Sequence, residues 1–251
     1  MAKEVRQNRT YNGSMTGSLD VAGYLFNKVT VNGSLAVRGD MDCNGLLING
    51  SFSDRGTLKT KNGTVNGEAV IHGGLDSARI KVNGQLRVDG DARVKDLSLN
   101  GMARVDGGLT SERVRLRGNI DVKKDCTAES FDSKGVFVIG GLLNSSVIRA
   151  RIYCECSAKE IGGDKIEIKR VPWTLFNRFL SYMAPGMDFA GHLATDTIEG
   201  DEIYVEYTSA KTIRGGSVTI GKGCDIGLVE YKNSFAQDKS SQVKEHVKTG
   251  I

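Results

Sequence analysis

One interval governs this chain. Asn-Gly recurs at a constant step, as Asn32-Gly33, Asn49-Gly50, Asn66-Gly67, Asn83-Gly84 and Asn100-Gly101, and the same step continues through Arg117-Gly118 and Lys134-Gly135. A second glycine stands seven residues after the first member of each pair, at Gly39, Gly56, Gly73, Gly90, Gly107 and Gly141, with Lys124 the one break in that row. A fixed period of about 20 residues marks a solenoid, in which each repeat is one coil stacked on the last.

Within a coil, apolar residues fall in pairs two apart, which is strand periodicity. One set precedes the turn (Val29/Val31, Leu46/Ile48, Ile80/Val82, Leu97/Leu99, Val114/Leu116) and one follows it (Leu35/Val37, Leu86/Val88, Ala103/Val105, Ile120/Val122, Phe137/Ile139). A weaker set follows the second glycine: Met41/Cys43, Leu75/Ser77, Ala92/Val94, Leu109/Ser111 and Cys126/Ala128. Residues two apart share a strand face, so all three pairs point into one central column. Lys81, Arg87, Ser98, Arg104, Arg115 and Asp121 then face water. Asparagine and glycine at the bends supply the positive φ that sharp corners use. The expectation is all-β: a three-sided parallel β-helix of about 17 residues per coil.

The irregular places are also readable. Gly63 replaces an apolar residue, and Asp54 and Thr60 take inward phases, which predicts a bulge or looser packing in that coil. Residues 1–14 are expected as a flexible tail and 15–170 as β-helix coils. Residues 171–195 hold both prolines and the single tryptophan, and are expected as a helical insertion. Trp173, Phe176, Leu180 and Met183 share a helical face, with Phe179 close by. That helix either folds against the solenoid wall or exposes a patch for a membrane surface or a partner. Coils resume over 196–231, where Ile198 to Ile213 is a shorter step than the earlier ones, and 232–251 is expected as a second flexible tail.

Composition narrows the function classes. A net charge of +4 over 251 residues is too dispersed to argue for nucleic acid. No apolar run approaches a membrane span. The polar start lacks the apolar core of a signal peptide, so the expected compartment is the cytoplasm. Cys43, Cys126, Cys154 and Cys156 fall on inward phases and read as small core residues rather than disulfide partners or metal ligands. The stretch Gly216–Gly223 resembles a phosphate-binding loop, but Gly223 stands where that loop needs Ser or Thr, and Val218 and Ile220 read as strand. His192 is the one histidine suited to a β-helical acyltransferase, whose equal hexads differ from the coil here. No catalytic residue, metal, nucleotide or other cofactor is expected, and no small-molecule substrate.

The repeated apolar-x-apolar-Asn-Gly coils resemble bactofilins, the bacterial polymer-forming cytoskeletal proteins. Ile161-Gly-Gly-Asp-Lys-Ile-Glu-Ile168, Ile198-Glu-Gly-Asp-Glu-Ile-Tyr204 and Ile220-Gly-Lys-Gly-Cys-Asp-Ile-Gly-Leu-Val-Glu-Tyr231 resemble the long bactofilin-like proteins of Bacillus-type bacteria. The resemblance covers roughly residues 15–231. It implies a right-handed β-helix and end-to-end filaments formed without nucleotide, often beside the inner face of the membrane. It also implies a scaffold role in cell shape, wall synthesis or motility. The start, Met1-Ala-Lys-Glu-Val5, departs from the apolar N-terminal membrane motif of some members. A β-helix has two ends with unpaired strand groups, which template further stacking. The expected contact surfaces are Leu19, Val21, Tyr24 and Phe26 at one end and Ile226, Val229 and Tyr231 at the other. The expected partner is another copy of the chain, with the membrane surface or membrane-associated proteins as further partners for the Trp173–Met183 patch. The rival reading is a non-polymerising interaction scaffold that uses its outer faces or residues 171–195.

Overall fold

The computed structural model describes the backbone of residues 8–12, 16–19, 25–171 and 191–250, and side chains over 26–171 and 191–250. These residues form a parallel β-solenoid with no helix among them. The strands are β1 (Asn8–Asn12), β2 (Thr16–Leu19), β3 (Leu25–Val31), β4 (Ser34–Val37), β5 (Met41–Ile48), β6 (Ser51–Asp54) and β7 (Leu58–Val65). Then follow β8 (Glu68–Ile71), β9 (Leu75–Val82), β10 (Gln85–Val88), β11 (Ala92–Leu99), β12 (Met102–Val105), β13 (Leu109–Leu116) and β14 (Asn119–Val122). The last seven are β15 (Cys126–Ser133), β16 (Val136–Ile152), β17 (Glu155–Arg170), β18 (His192–Val205), β19 (Thr208–Ile220), β20 (Asp225–Gln237) and β21 (Gln242–Lys248). The chain divides into two compact units, the first of residues 1–114 and 118–124, the second of residues 115–117 and 125–251.

In the first unit strands pair in parallel with their equivalents one repeat on. Val31 lies opposite Ile48, Ile48 opposite Val65, Val65 opposite Val82, and Val82 opposite Leu99. All five are buried. The period therefore does two jobs: it brings like side chains into one column, and it returns the chain to the same corner.

The corner is held twice. Asn66 and Asn83 donate their backbone N–H to Ile48 O and Val65 O, each at 2.7 Å. Their side chains form an amide ladder: the Nδ2 of Asn49, Asn66, Asn83 and Asn100 each donates to the Oδ1 of the asparagine one coil earlier, at 2.8–3.0 Å. Asparagine suits this place because its amide donates and accepts at once, so identical residues complement one another.

The corner glycines have a different cause from the one expected. Among the described residues positive φ is confined to Tyr207, Gly191, Gly223 and Gly250. What Gly50, Gly67, Gly84 and Gly101 provide is room. A Cβ on any of them would sit 1.9–2.0 Å from the carbonyl oxygen of the equivalent glycine one coil back.

The irregular coil is closed rather than loose. β7 pairs with β5 and β9 in continuous register, so the expected bulge is absent. Ile80 fills the space at Gly63, where a Cβ would meet its Cδ1 at 2.5 Å. Asp54 and Thr60 do point inward and are buried.

In the second unit the step varies. Leu143 lies opposite Ile161, Ile161 opposite Ile198, Ile198 opposite Ile213, Ile213 opposite Val229 and Val229 opposite His246. Residues 192–195, expected within the insertion, begin β18 instead. Residues 232–248, expected as tail, complete β20 and supply β21. Polarity misled there, because a terminal rung has only one neighbour and needs little apolar surface.

Candidate assembly surfaces

At the start of the first unit, β1 pairs with β3 and β2 pairs with β4. Among the described residues neither has a partner on its other edge. β1 therefore covers β3, with Arg9 opposite Phe26 and Tyr11 opposite Val29. Phe26 is 5% exposed, between β1 and Cys43 of β5, and is not a free end surface. Leu19 lies opposite Val37 in β4. Val21, Tyr24 and the side chain of Leu19 lie outside the described residues.

The other expected surface is covered too. β21 lies on β20 with Val243 opposite Ile226, His246 opposite Val229 and Lys248 opposite Tyr231. Ile226 and Val229 are fully buried and Tyr231 half-buried. Tyr231 stacks on Phe235 at 5.4 Å between centroids, and Phe235 stacks on His246 at 4.8 Å. The open edge belongs to β21, which pairs with β20 alone among the described residues.

The sequence carries a signal for both terminal rungs. Arg9 precedes Phe26, and His246 follows Val229, by the same step that separates the corner asparagines. The two edges differ in chemistry. β21 carries Lys244, Glu245, His246 and Lys248, the kind of charged edge that discourages indiscriminate pairing. β1 reads Asn-Arg-Thr-Tyr-Asn, with one charge.

The remaining chemical candidates are built into the wall. Cys43, Cys126, Cys156 and Cys224 are buried free thiols. Burial pushes Cys126 up to about 12 and Cys43 and Cys156 up to about 11, so these thiols resist ionisation. Cys154, expected inward, is half-exposed. Val218 and Ile220 are buried in β19, so Gly216–Ile220 is strand rather than a phosphate-cradling loop. The His192 ring lies 3.0 Å from Ser209 Oγ. Trp173, Phe176, Phe179, Leu180 and Met183 lie outside the described residues. Among the described residues no helix is long and apolar enough to cross a membrane.

A coil of this length, with inward apolar pairs and terminal edges left open, agrees with the comparison by sequence. Residues 5–128 match the bactofilin family, described as polymer-forming cytoskeletal. Residues 5–128 are thus similar to a bactofilin domain. The bactofilin match spans just under half of the sequence, and two curated relatives show the same kind of partial similarity. The uncharacterized protein YhbF of Bacillus subtilis is 41% identical over 90 residues, 36% of this chain and 34% of that protein. The uncharacterized protein YhbE of the same organism is 43% identical over 56 residues, 22% of this chain and 24% of that one. The chain thus aligns with about a third and a quarter of these relatives' lengths. No solved structure matches it significantly.

Proposed function

We propose that this bactofilin-type chain is a structural protein that assembles through its terminal coils into nucleotide-independent filaments. They would act in the cytoplasm as a scaffold for cell-shape, cell-wall or motility machinery. The observation that carries the reading is the pair of open edges, β1 with β2 and β21, each hydrogen-bonded on one side only among the described residues. An open parallel edge has a free row of N–H and C=O groups, and another copy of the same fold is the partner with the matching spacing. The polymer-forming description of the family supports it.

The contact residues follow from the covered surfaces. Tyr11 in β1 and Val243 and His246 in β21 replace Phe26, Ile226 and Val229 as the outermost registered positions. Tyr11→Lys places a charge on the N-terminal edge and is expected to abolish filaments in negative-stain micrographs while the melting transition persists. Unchanged filaments in that variant would show that β1 is not the contact. Phe26→Arg, by contrast, buries a charge between two strands and is expected to unfold the first coils.

A further inference from the structure

The corner position that holds asparagine in the first unit holds cations in the second. Lys134 donates its N–H to Leu116 O at 2.7 Å, the bond that Asn83 makes to Val65 O. One repeat step further along the sequence stands Arg151, and Arg151 lies directly opposite Lys169. Stacked amides satisfy one another, but stacked cations on neighbouring strands about 4.8 Å apart repel.

The surroundings relieve this only in part. Glu167 is shared by Arg151, at 3.4 Å, and Lys169. These cations line a cleft of about 790 Å³ together with Arg170, Lys222, Tyr207 and Glu206. Glu206 is already engaged, one oxygen accepting from Tyr204 OH at 2.6 Å and the other from the Arg170 backbone N–H at 3.1 Å. Among the described residues neither Lys134 nor the Arg170 guanidinium has a carboxylate within ion-pair distance. By contrast, Arg87, Arg104 and Lys123 on the wall of the first unit all have carboxylate partners.

A second feature points to the same place. Tyr207 has φ 47°, a left-handed conformation that a bulky side chain rarely adopts. Its ring lies under the Arg170 guanidinium at 4.3 Å. Gly223 leaves the space that ring needs, since a Cβ there would fall 2.6 Å from Tyr207 Cδ1. The ring fixes the guanidinium by its flat face and consumes none of its N–H donors.

We propose that this cleft binds a phosphate group, carried by a soluble anion or by a lipid headgroup. Two guanidinium forks and three ammonium groups, with two carboxylates already engaged nearby, suit a compact anion with several acceptor oxygens. The proposal is independent of filament assembly and is tested on the full chain. One arm titrates inorganic phosphate by calorimetry. The other sediments the protein with phosphatidylglycerol vesicles and with phosphatidylcholine vesicles. Binding in the first arm assigns a soluble anion, and binding to phosphatidylglycerol vesicles alone assigns a headgroup. In either case Lys134→Gln/Lys222→Gln, which leaves the Glu167 ion pairs intact, is expected to weaken binding at least about tenfold. Lys211→Gln/Lys244→Gln, elsewhere on the second unit, is expected to change nothing. Failure of both arms, or an equal loss in the Lys211/Lys244 variant, overturns the proposal.

Discussion

At the residue scale, identity is dictated by the coil one step away. Gly67 is glycine because its neighbour's carbonyl occupies the place of a Cβ, at 2.0 Å. Gly67→Ala is therefore expected to destabilise by roughly 1–3 kcal/mol, read as a lower denaturation midpoint. Gly45→Ala is the matched comparison, because among the described residues the nearest non-adjacent atom lies 3.8 Å from its Cβ position; a few tenths of a kcal/mol gained by restricting the unfolded chain is expected there. Asp54 is the contrary case, a fully buried carboxyl among apolar columns, with Val37 and Ile71 as its registered neighbours. Its Oδ1 accepts the Gly56 N–H at 2.9 Å, and its Oδ2 has no partner among the described residues. Desolvation raises its pKa from 3.8 to about 6. The folded state thus holds the proton more tightly than the unfolded chain does. This group's contribution is most favourable below about pH 4 and is lost as pH rises through 6, a change of about 3 kcal/mol. Asp54→Asn removes that dependence, so the stability difference, variant minus wild type, should rise by a similar amount between pH 4 and 7.5. A flat difference in paired urea titrations would contradict the assigned titration.

At the element scale, the repeat made the fold legible, and its inward phases marked buried side chains, Asp54 and Thr60 included, with Cys154 an exception. Two matters were not legible. Sequence gives the presence of a corner glycine but not its reason, since steric room and left-handed φ select the same residue. Nor did it give the bounds of the expected 171–195 insertion. Val171 N–H bonds to Ile152 O and Gly191 N–H to Tyr153 O, so residues 171 and 191 take consecutive places along the preceding coil. With residues 172–190 set aside, the step from Ile161 to its registered partner Ile198 equals the step from Leu143 to Ile161. Joining Val171 directly to Gly191 is therefore expected to give a coil of ordinary length and a protein that melts within a few degrees of the parent. Loss of the cooperative transition would show that residues 172–190 are needed to close the wall. The amide ladder has its own test. Asn66→Ala removes one donated and one accepted bond and is expected to cost about 1–2 kcal/mol.

At the scale of the whole molecule, a solenoid has no natural stopping point, and what limits it is the chemistry of its terminal rungs. The polar termini read as tails in the sequence, whereas Phe26, Ile226 and Val229 lie one rung inside the outermost described strands. Arg9, Tyr11, Val243 and His246 stand in register with the core columns, so the rungs they form are the outermost described. Polarity at a last rung is no argument against strand, since its outer edge faces water or another copy. The direct measurement is negative-stain electron microscopy with sedimentation of the full chain, without nucleotide, over a range of concentration and salt. Filaments that pellet for the parent chain and vanish for Tyr11→Lys are the predicted result. A species that stays monomeric at every concentration would contradict assembly through open terminal coils.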